Sequence, residues 1–286
     1  MVLPGMSAQD QVTMATALSR NEPYRPGADA VRREGVGRGT VSQHRFSDSR
    51  SYPGTARDWW LYIPSSTAST SPANLMVFQD GGRYLGPEID APAVFDNLIA
   101  AGEIPPTIGL FINPGDTGPG LPLWGGVDNR SIEYDSLGDA YARFLIEEMI
   151  PPVAAQHAIA SDPAQRAICG LSSGGICAFN AAWERPDSFG GVISHCGSFV
   201  DIRGGHAMAS KVRRGPARAL RVFLQTGKQD LDVVFGHWVN ANRDLAAALA
   251  YQSIDHQLVI GEGAHSLKHG GALFPDTLRW LWRTPT

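Results

Sequence analysis

Residues 166–184, RAICGLSSGGICAFNAAWE, decide the fold that we predict for this chain. An apolar run typical of a buried strand precedes the glycines, and a helix-forming run follows them. Between the two runs, residues 170–174 form a G-x-S-x-G sequence. On a strand-turn-helix junction, this sequence is typical of a nucleophile elbow, a sharp turn that holds a serine at a strained backbone position. The register selects Ser172 rather than Ser173, because Leu171 stands where a nucleophile at Ser173 would need glycine.

The rest of the chain carries a matching pattern. From residue 74 onward, short apolar runs alternate with helical stretches, which predicts βαβ units and a mostly parallel sheet with helices on both faces. Two β-type runs around a turn-rich segment predict an antiparallel N-terminal edge. The expected strands cover 41–46, 58–63, 75–78, 108–112, 166–169, 191–194, 220–225 and 256–260. The expected helices cover 91–101, 136–156, 174–184, 238–250 and 271–282.

Domain organisation follows from the same pattern. Residues 1–38 are mixed and polar and show no periodicity, so we expect an irregular N-terminal arm. No internal repeat or linker divides 39–286, which we expect to form a single α/β domain. The connection over 113–130 holds five glycines and three prolines, and loops of that length usually border a site.

Residues that follow the strands are the candidates for chemistry, because ligands of such sheets bind at the carboxyl ends of the strands. Asp230 and Asp232 follow one expected strand, and His265 follows the next. With Ser172 they stand in the order serine, acid, histidine, which is typical of α/β hydrolases. We predict that Ser172 is the nucleophile, His265 the base and Asp230 the orienting acid. Asp232 is the alternative acid, and Glu262 is a third and less favoured carboxylate.

Acyl transfer also needs donors for the developing oxyanion. The backbone N–H of Ser173 is the first expected donor, because it follows the nucleophile. The glycine-rich turn after the strand at 75–78 offers the second, for which we choose Gly82 with Gly81 as the fallback. Phosphate binding is the competing use of such a turn, but the sequence contains no GxxxxGK[ST] and no GxGxxG that opens a helix.

Four further residues are expected near the substrate. Trp124 lies in the glycine- and proline-rich loop, and Trp238 follows the acid loop; an indole ring there can stack on an aromatic acid or a sugar. For Trp238 the alternative, the start of a core helix, is preferred. His206 and His269 are expected to line the site. No HExxH or comparable spacing occurs, so we expect no metal.

Composition excludes several classes. Lys and Arg total 24 against 28 for Asp and Glu, and the net charge of −4 offers no footprint for nucleic acid or for an anionic bilayer. No apolar run reaches the roughly 18 residues of a membrane span, and the first residues lack the pattern of a secretion signal, so a cytoplasmic location is expected. Cys169, Cys177 and Cys196 are expected to be buried free thiols.

The blocks LMVFQDG, GLSSGGICAFNAAWERPDSFGGVISHCGSF, VFLQTGKQDLD and GEGAHSLKHGGALFPDTLRWLW resemble the esterase family that includes enterochelin esterases, esterase D and bacterial feruloyl esterases. The resemblance covers about residues 39–282. It implies an α/β-hydrolase catalytic domain and a serine carboxylic-ester hydrolase that forms an acyl-enzyme, with no cofactor and a small-molecule ester as substrate. It also implies that Arg130, Glu133 and Tyr134 form a structural or substrate-facing cluster beside the site. An acyltransferase with the same triad and a non-catalytic binding protein of this fold are the alternatives.

Overall fold

The strands come from all parts of the chain that the structure, a computed structural model, describes: residues 5–65, 71–117 and 129–284. They are β1 (Thr40–Phe46), β2 (Arg57–Ile63), β3 (Asn74–Gln79), β4 (Thr107–Ile112), β5 (Arg166–Leu171), β6 (Gly191–His195), β7 (Arg221–Gly227), β8 (Asp232–Val233), β9 (Gly236–His237) and β10 (Asp255–Gly261). The eight expected strands are all present, with ends that differ from the prediction by at most two residues.

The α-helices in these ranges are α1 (Ala8–Ser19), α2 (Gly81–Tyr84), α3 (Ala91–Ala100), α4 (Asn129–Tyr134), α5 (Ala140–Phe144), α6 (Ile150–Ala154), α7 (Ser173–Glu184), α8 (Met208–Arg214), α9 (Trp238–Tyr251) and α10 (Leu267–Leu281). Single 3₁₀ turns lie at Ala28–Ala30, Pro163–Gln165 and Gly205–Ala207. Of the described helices, none has both the length and the apolar character that crossing a bilayer requires.

Eight of the strands form one sheet in the order β1-β2-β4-β3-β5-β6-β7-β10. β1 and β2 are antiparallel to each other, β2 is antiparallel to β4, and the remaining neighbours run parallel. β8 and β9 form a separate two-stranded hairpin. The prediction of a mostly parallel sheet with an antiparallel N-terminal edge is therefore confirmed, and the topology is that of an α/β-hydrolase.

Alternation along the central strands builds two cores. Ile168 and Val192 pack in the core that includes α7 and α9, whereas the next residues, Cys169 and Ile193, pack in the core that includes α3 and α10. Helices therefore cover both faces of the sheet, and this cover explains why the central strands are apolar on both faces.

The expected helix over 136–156 is interrupted. α5 and α6 are separated by a π-helical turn, Leu145–Met149. Pro151 and Pro152 follow Ile150, the first residue of α6, and carry no backbone N–H, so two α-helical hydrogen bonds cannot form there. The amphipathic pattern predicts the position of this segment correctly but not its change of helix type.

The expectation that residues 1–38 are irregular is wrong for the twelve residues of α1. Ser7 and Asp10 form a capping box that starts this helix, a signal that is visible in the sequence. Met14 and Ala17 of α1 then pack in a small third core with Val233 of the hairpin. The arm is thus a folded part of the molecule, attached to the hairpin that follows Asp230.

Candidate active site

Ser172 stands between β5 and α7 with φ +60° and ψ −122°, a backbone conformation that L-residues rarely adopt. The glycines of the motif permit this turn. A Cβ on Gly170 would lie 2.1 Å from the carbonyl oxygen of Gly174, and a Cβ on Gly174 would contact Gln79 and Asp80. The strand and the helix therefore approach more closely than larger residues would allow, which is the strained geometry of a nucleophile elbow.

Three side chains predicted to act together lie in one hydrogen-bonded line. His265 Nε2 is 2.9 Å from Ser172 Oγ, and His265 Nδ1 is 2.6 Å from Asp230 Oδ1. All three residues are buried. The geometry suits proton transfer from the serine hydroxyl to an imidazole that a carboxylate orients.

Asp230, not Asp232, lies within hydrogen-bond distance of His265. The Thr226 hydroxyl donates to Asp230 Oδ2 at 2.6 Å, and the Leu231 N–H donates to Oδ1 at 2.7 Å. Asp232 begins β8 and is exposed, and Glu262 pairs with Lys228 at the surface. The preference for Asp230 in the sequence analysis agrees with this geometry.

The loops that carry Asp230 and His265 are tied to each other by the main chain. Lys228 N–H donates to the Gly261 carbonyl at 2.7 Å, and Gln229 N–H donates to the Gly263 carbonyl at 3.0 Å. Gly227 is required here, because a Cβ on it would lie 2.0 Å from the Gly263 oxygen. The separation of acid and base is therefore set by backbone hydrogen bonds.

The N-terminal arm also reaches the histidine loop. Glu22 is buried, and Ser266, the residue after His265, donates its hydroxyl to Glu22 Oε1 at 2.6 Å. A Cβ on Gly263 would lie 2.3 Å from Glu22 Oε2. Glu22 thus lies against Gly263 and Ser266, one before and one after His265 in the sequence. The sequence analysis missed this residue, because 244 positions separate Glu22 from Ser266.

Ser198 and Trp238 form a second group of hydrogen-bond partners next to Ser172. Ser198 Oγ is 3.1 Å from Ser172 Oγ, and Trp238 Nε1–H donates to Ser198 Oγ at 3.2 Å. The Trp238 ring packs edge-on against His265, with centroids 5.9 Å apart. Trp238 is buried at the start of α9, as the core alternative predicts, and not as an open stacking surface for substrate. The sequence analysis missed Ser198, although it follows the end of β6 at the edge where site residues gather.

The expected oxyanion donors lie at the start of α7 and in the turn that follows β3. Ser173 is the first residue of α7, so its N–H belongs to the free end of that helix. Gly82 N–H, however, donates to Asn113 Oδ1 at 3.0 Å, so the expected donor already has an acceptor. The turn before it is fixed by Asp80, which has a left-handed conformation with φ +54°. The fallback, Gly81 N–H, is therefore the second donor to test first.

Two buried ion pairs join α4 to the turn after β3 and to β2. Arg130 donates to both carboxylate oxygens of Asp80, from Nε at 2.9 Å and from Nη2 at 2.7 Å. Arg57 donates to both oxygens of Glu133, at 2.6 and 2.8 Å, and both of these side chains are fully buried. Tyr134 Oη accepts a hydrogen bond from the Asp80 N–H. Arg130 and Glu133 are thus buried in ion pairs, in keeping with the structural alternative for this cluster, and their contact with substrate stays a prediction.

Burial and charge act against each other in these pairs. Burial raises the pKa of Glu133, although Arg57 and the N–H of Gly115 favour its charged form. Burial also opposes the charge of Arg130, but the Asp80 carboxylate more than compensates and raises the pKa of that guanidinium. Asp135, the residue after Tyr134, is buried beside Ser173, and burial raises the pKa of its carboxyl group to about 6.

The remaining expected substrate residues lie elsewhere. His269 stacks on Tyr24 with centroids 4.1 Å apart, and its Nδ1 is 3.0 Å from Gln225 Nε2, so it packs under the arm rather than on the triad. His206 is exposed and pairs with Asp201. Neither residue is hydrogen-bonded to Ser172, Asp230 or His265, and their contact with substrate stays a prediction. Trp124 falls outside the described residues.

One group among the described residues has the spacing of metal ligands: Cys196, Asp230 and His265. Burial raises the pKa of the Cys196 thiol well above its ordinary value, which disfavours the thiolate that a metal would need. Asp230 and His265 are bonded to each other. The donor set therefore fits proton transfer better than metal binding.

Comparison with known proteins agrees with this fold. The model of the family described as "Putative esterase" matches residues 51–281. An iron(III) enterobactin esterase from Dickeya dadantii is 27% identical over 237 residues, which cover 78% of this chain and 51% of that protein. The chain therefore spans about half the length of this relative.

Solved structures show the same architecture. The enterobactin esterase of Shigella flexneri matches with a TM-score of 0.74 at 19% identity, over 91% of this chain and 63% of that one. A ferulic acid esterase matches with a TM-score of 0.66 at 18% identity, over 86% of this chain and 99% of that one. The sheet and the turn at Ser172 define the α/β-hydrolase class. Within that class, this chain belongs to the esterase family whose model it matches.

Proposed function

We propose that this chain hydrolyses carboxylic esters through Ser172, His265 and Asp230. The observation that carries the proposal is the buried line from Ser172 Oγ to His265 Nε2, and from His265 Nδ1 to Asp230 Oδ1, at 2.9 and 2.6 Å. Membership of the esterase family supports the same reaction.

The proposed reaction has two halves. In the first, Ser172 Oγ attacks the ester carbonyl carbon while His265 Nε2 accepts the hydroxyl proton. The carbonyl oxygen becomes an oxyanion that accepts hydrogen bonds from Ser173 N–H and from the turn at Gly81 and Gly82. When the bond from carbon to the leaving oxygen breaks, His265 gives the proton to the departing alcohol.

In the second half, water attacks the acyl-enzyme, and His265 accepts a proton from the water. The carbon–Oγ bond then breaks, and the proton returns from His265 to Ser172, which releases the carboxylic acid. Asp230 holds the imidazole in the tautomer with hydrogen on Nδ1 and stabilises its charged form throughout. His265 accepts and returns each proton in both halves, so these steps need no other proton donor or acceptor.

The substrate class is proposed from the relatives. One group is named for enterobactin and another for ferulic acid, and both compounds carry hydroxylated aromatic rings. We therefore propose small-molecule esters with such rings as the substrates to test first.

A panel of esters tests this function. Methyl ferulate, a catechol-bearing serine ester and p-nitrophenyl acetate are compared by product analysis, with and without an added acceptor alcohol. The expected result is free acid from at least one aromatic ester, and loss of this product in Ser172→Ala. Ser194→Ala is the matched control, because Ser194 Oγ lies buried on β6 and bonds to no described residue. Transfer to the alcohol in place of hydrolysis would make the chain an acyltransferase, and no turnover of any ester would overturn the proposal.

A further inference from the structure

The nucleophile has two hydrogen-bond neighbours rather than one. Ser172 Oγ lies 2.9 Å from His265 Nε2 on one side and 3.1 Å from Ser198 Oγ on the other. A triad needs only the first contact. The second contact joins two buried hydroxyls, and both must share their protons among neighbours.

Trp238 determines the direction of the second contact. An indole Nε1–H can only donate, so Ser198 Oγ is the acceptor in its bond to Trp238. The proton of the Ser198 hydroxyl is therefore available to Ser172 Oγ. Ser172 in turn donates its own proton to His265 Nε2, and His265 donates from Nδ1 to Asp230. All donors then point one way, from Trp238 to Asp230.

The main chain holds Ser198 in this place. Its N–H donates to the Ser172 carbonyl at 3.0 Å, so the residue is fixed to the nucleophile turn. Asn242 donates from Nδ2 to the carbonyls of Gly197 and Trp238, each at 2.9 Å. This amide joins the Ser198 turn to the first turn of α9. Ser198 and Trp238 therefore keep their separation without help from a ligand.

From this geometry we propose that Ser198 is a further catalytic residue, which donates a hydrogen bond to Ser172 Oγ, and that Trp238 is the positioning residue that orients it. The inference rests on the proposed function. Before attack, the bond turns the Ser172 proton toward His265. When the carbon–Oγ bond of the acyl-enzyme breaks, Oγ takes up the bonding electron pair. The Ser198 hydroxyl then stabilises the charge on Oγ until the proton arrives from His265, and Ser198 itself neither gains nor loses a proton.

Four variants test the inference: Ser198→Ala, Trp238→Phe, their combination and Ser194→Ala. The loss of one hydrogen bond predicts a fall in kcat of about tenfold for Ser198→Ala, with KM within a factor of two. Trp238→Phe keeps an aromatic ring against His265 but removes the donor, and about a threefold fall is expected. The double variant should equal Ser198→Ala, because both changes remove one interaction. Ser194→Ala should match the parent.

The second readout separates catalysis from packing. The rate at which a small fluorophosphonate labels Ser172 should also fall in Ser198→Ala, because the bond that turns the Ser172 proton toward His265 before attack is lost. A purely structural role would instead lower the melting temperature and leave the labelling rate of the folded protein unchanged. If Ser198→Ala does not fold, Trp238→Phe carries the test alone.

Failure of this inference differs from failure of the proposed function. If Ser172→Ala is inactive while Ser198→Ala keeps the parent kcat and labelling rate, the role of Ser198 is wrong and the esterase stands. If Ser172→Ala retains full hydrolysis, the nucleophile itself is wrong. Additive losses in the double variant would also overturn the proposed line of donors.

Discussion

The two flanks of Ser172 are held by different forces. We define the acid–base flank as residues 226–232 and 261–266, and the oxyanion flank as residues 79–83 with α4. Backbone hydrogen bonds between two loops hold the acid–base flank, with Lys228 N–H and Gln229 N–H as the donors. Buried ion pairs support the oxyanion flank, through Arg130 with Asp80 and Arg57 with Glu133.

This difference has a physical consequence. Main-chain bonds are independent of side-chain identity, so Asp230 and His265 can be changed at a cost to chemistry rather than to folding, whereas Gly227 must stay glycine. A buried ion pair behaves in the opposite way, because removal of one partner leaves an uncompensated charge in the interior. We therefore expect activity and stability to respond separately on the two flanks.

The largest effect is expected at the junction of the flanks. Ser172→Ala removes the attacking oxygen but leaves the turn, so kcat should fall by about 10⁴-fold or more with a melting temperature close to that of the parent. Ester hydrolysis and differential scanning calorimetry of one preparation check both parts. Hydrolysis within tenfold of the parent would contradict the assignment.

The acid–base flank offers a matched pair of carboxylates. Asp230→Asn should lower kcat by about 10³- to 10⁴-fold, because the amide favours the wrong imidazole tautomer. Asp232→Asn changes an exposed carboxylate two residues away and should stay within a factor of three. Steady-state kinetics on a single ester compare them. Equal losses in the two variants would place the acid elsewhere.

The oxyanion flank should show the reverse behaviour. Arg57→Met leaves Glu133 buried without its cation and should lower the free energy of unfolding by about 3–5 kcal/mol. A second change, Glu133→Gln, should recover part of this loss, because it removes the charge and keeps an acceptor. Arg45→Met is the control, since Arg45 pairs with Asp58 at the exposed edge and should cost less than about 1 kcal/mol. Urea unfolding measures all three, and similar losses in Arg57→Met and Arg45→Met would remove the distinction between the flanks.

A smaller effect should depend on pH. The pKa of Asp135 rises on folding from 3.8 to about 6, because burial disfavours the charged carboxylate. Between these values the folded chain holds a proton that the unfolded chain has released, so the free energy of unfolding falls as pH rises through this window. Asp135→Asn lacks this titration. The free energy of unfolding of this variant, taken relative to the parent, should therefore rise by about 1–3 kcal/mol between pH 4 and pH 7.

Unfolding curves at several pH values check this sign. Asp187→Asn is the control, because Asp187 is exposed and the Arg185 guanidinium lowers its pKa. The difference in free energy of unfolding between Asp187→Asn and the parent should not shift in favour of the variant as pH rises. A constant gap between Asp135→Asn and the parent from pH 4 to pH 7 would show that Asp135 does not hold a proton in the folded chain.

Local pattern predicts the central sheet well, and it also selects the three residues of the proposed triad. The central strands are short apolar runs bounded by turns, and Ser172, Asp230 and His265 each follow a strand at the same edge of the sheet. Each of these signals is formed by residues that are neighbours in the chain, so a single sequence contains it. The start of α1 was equally visible, because the capping box of Ser7 and Asp10 is a local signal.

Contacts between distant segments are not predictable in this way. Ser198 sits in no motif, and only the fold brings its hydroxyl to within 3.1 Å of Ser172 Oγ. Glu22 lies in an arm without periodicity, yet it bonds to Ser266. The hydrogen bond from Gly82 N–H to Asn113 depends on the neighbouring strand β4, which Asn113 follows. Arg57, the partner of Glu133, is 76 residues away in the chain. These features depend on the fold rather than on sequence neighbours.

Labelling with a fluorophosphonate tests the central claim most directly. The parent protein is treated until labelling is complete, digested and mapped by mass spectrometry, while residual ester hydrolysis is followed on the same sample. The account predicts one phosphonyl group per chain, on Ser172, with hydrolysis lost in step with labelling and no label on Ser172→Ala. Full hydrolysis by protein that is completely labelled at Ser172, or a label that forms only on another residue as activity is lost, would contradict it.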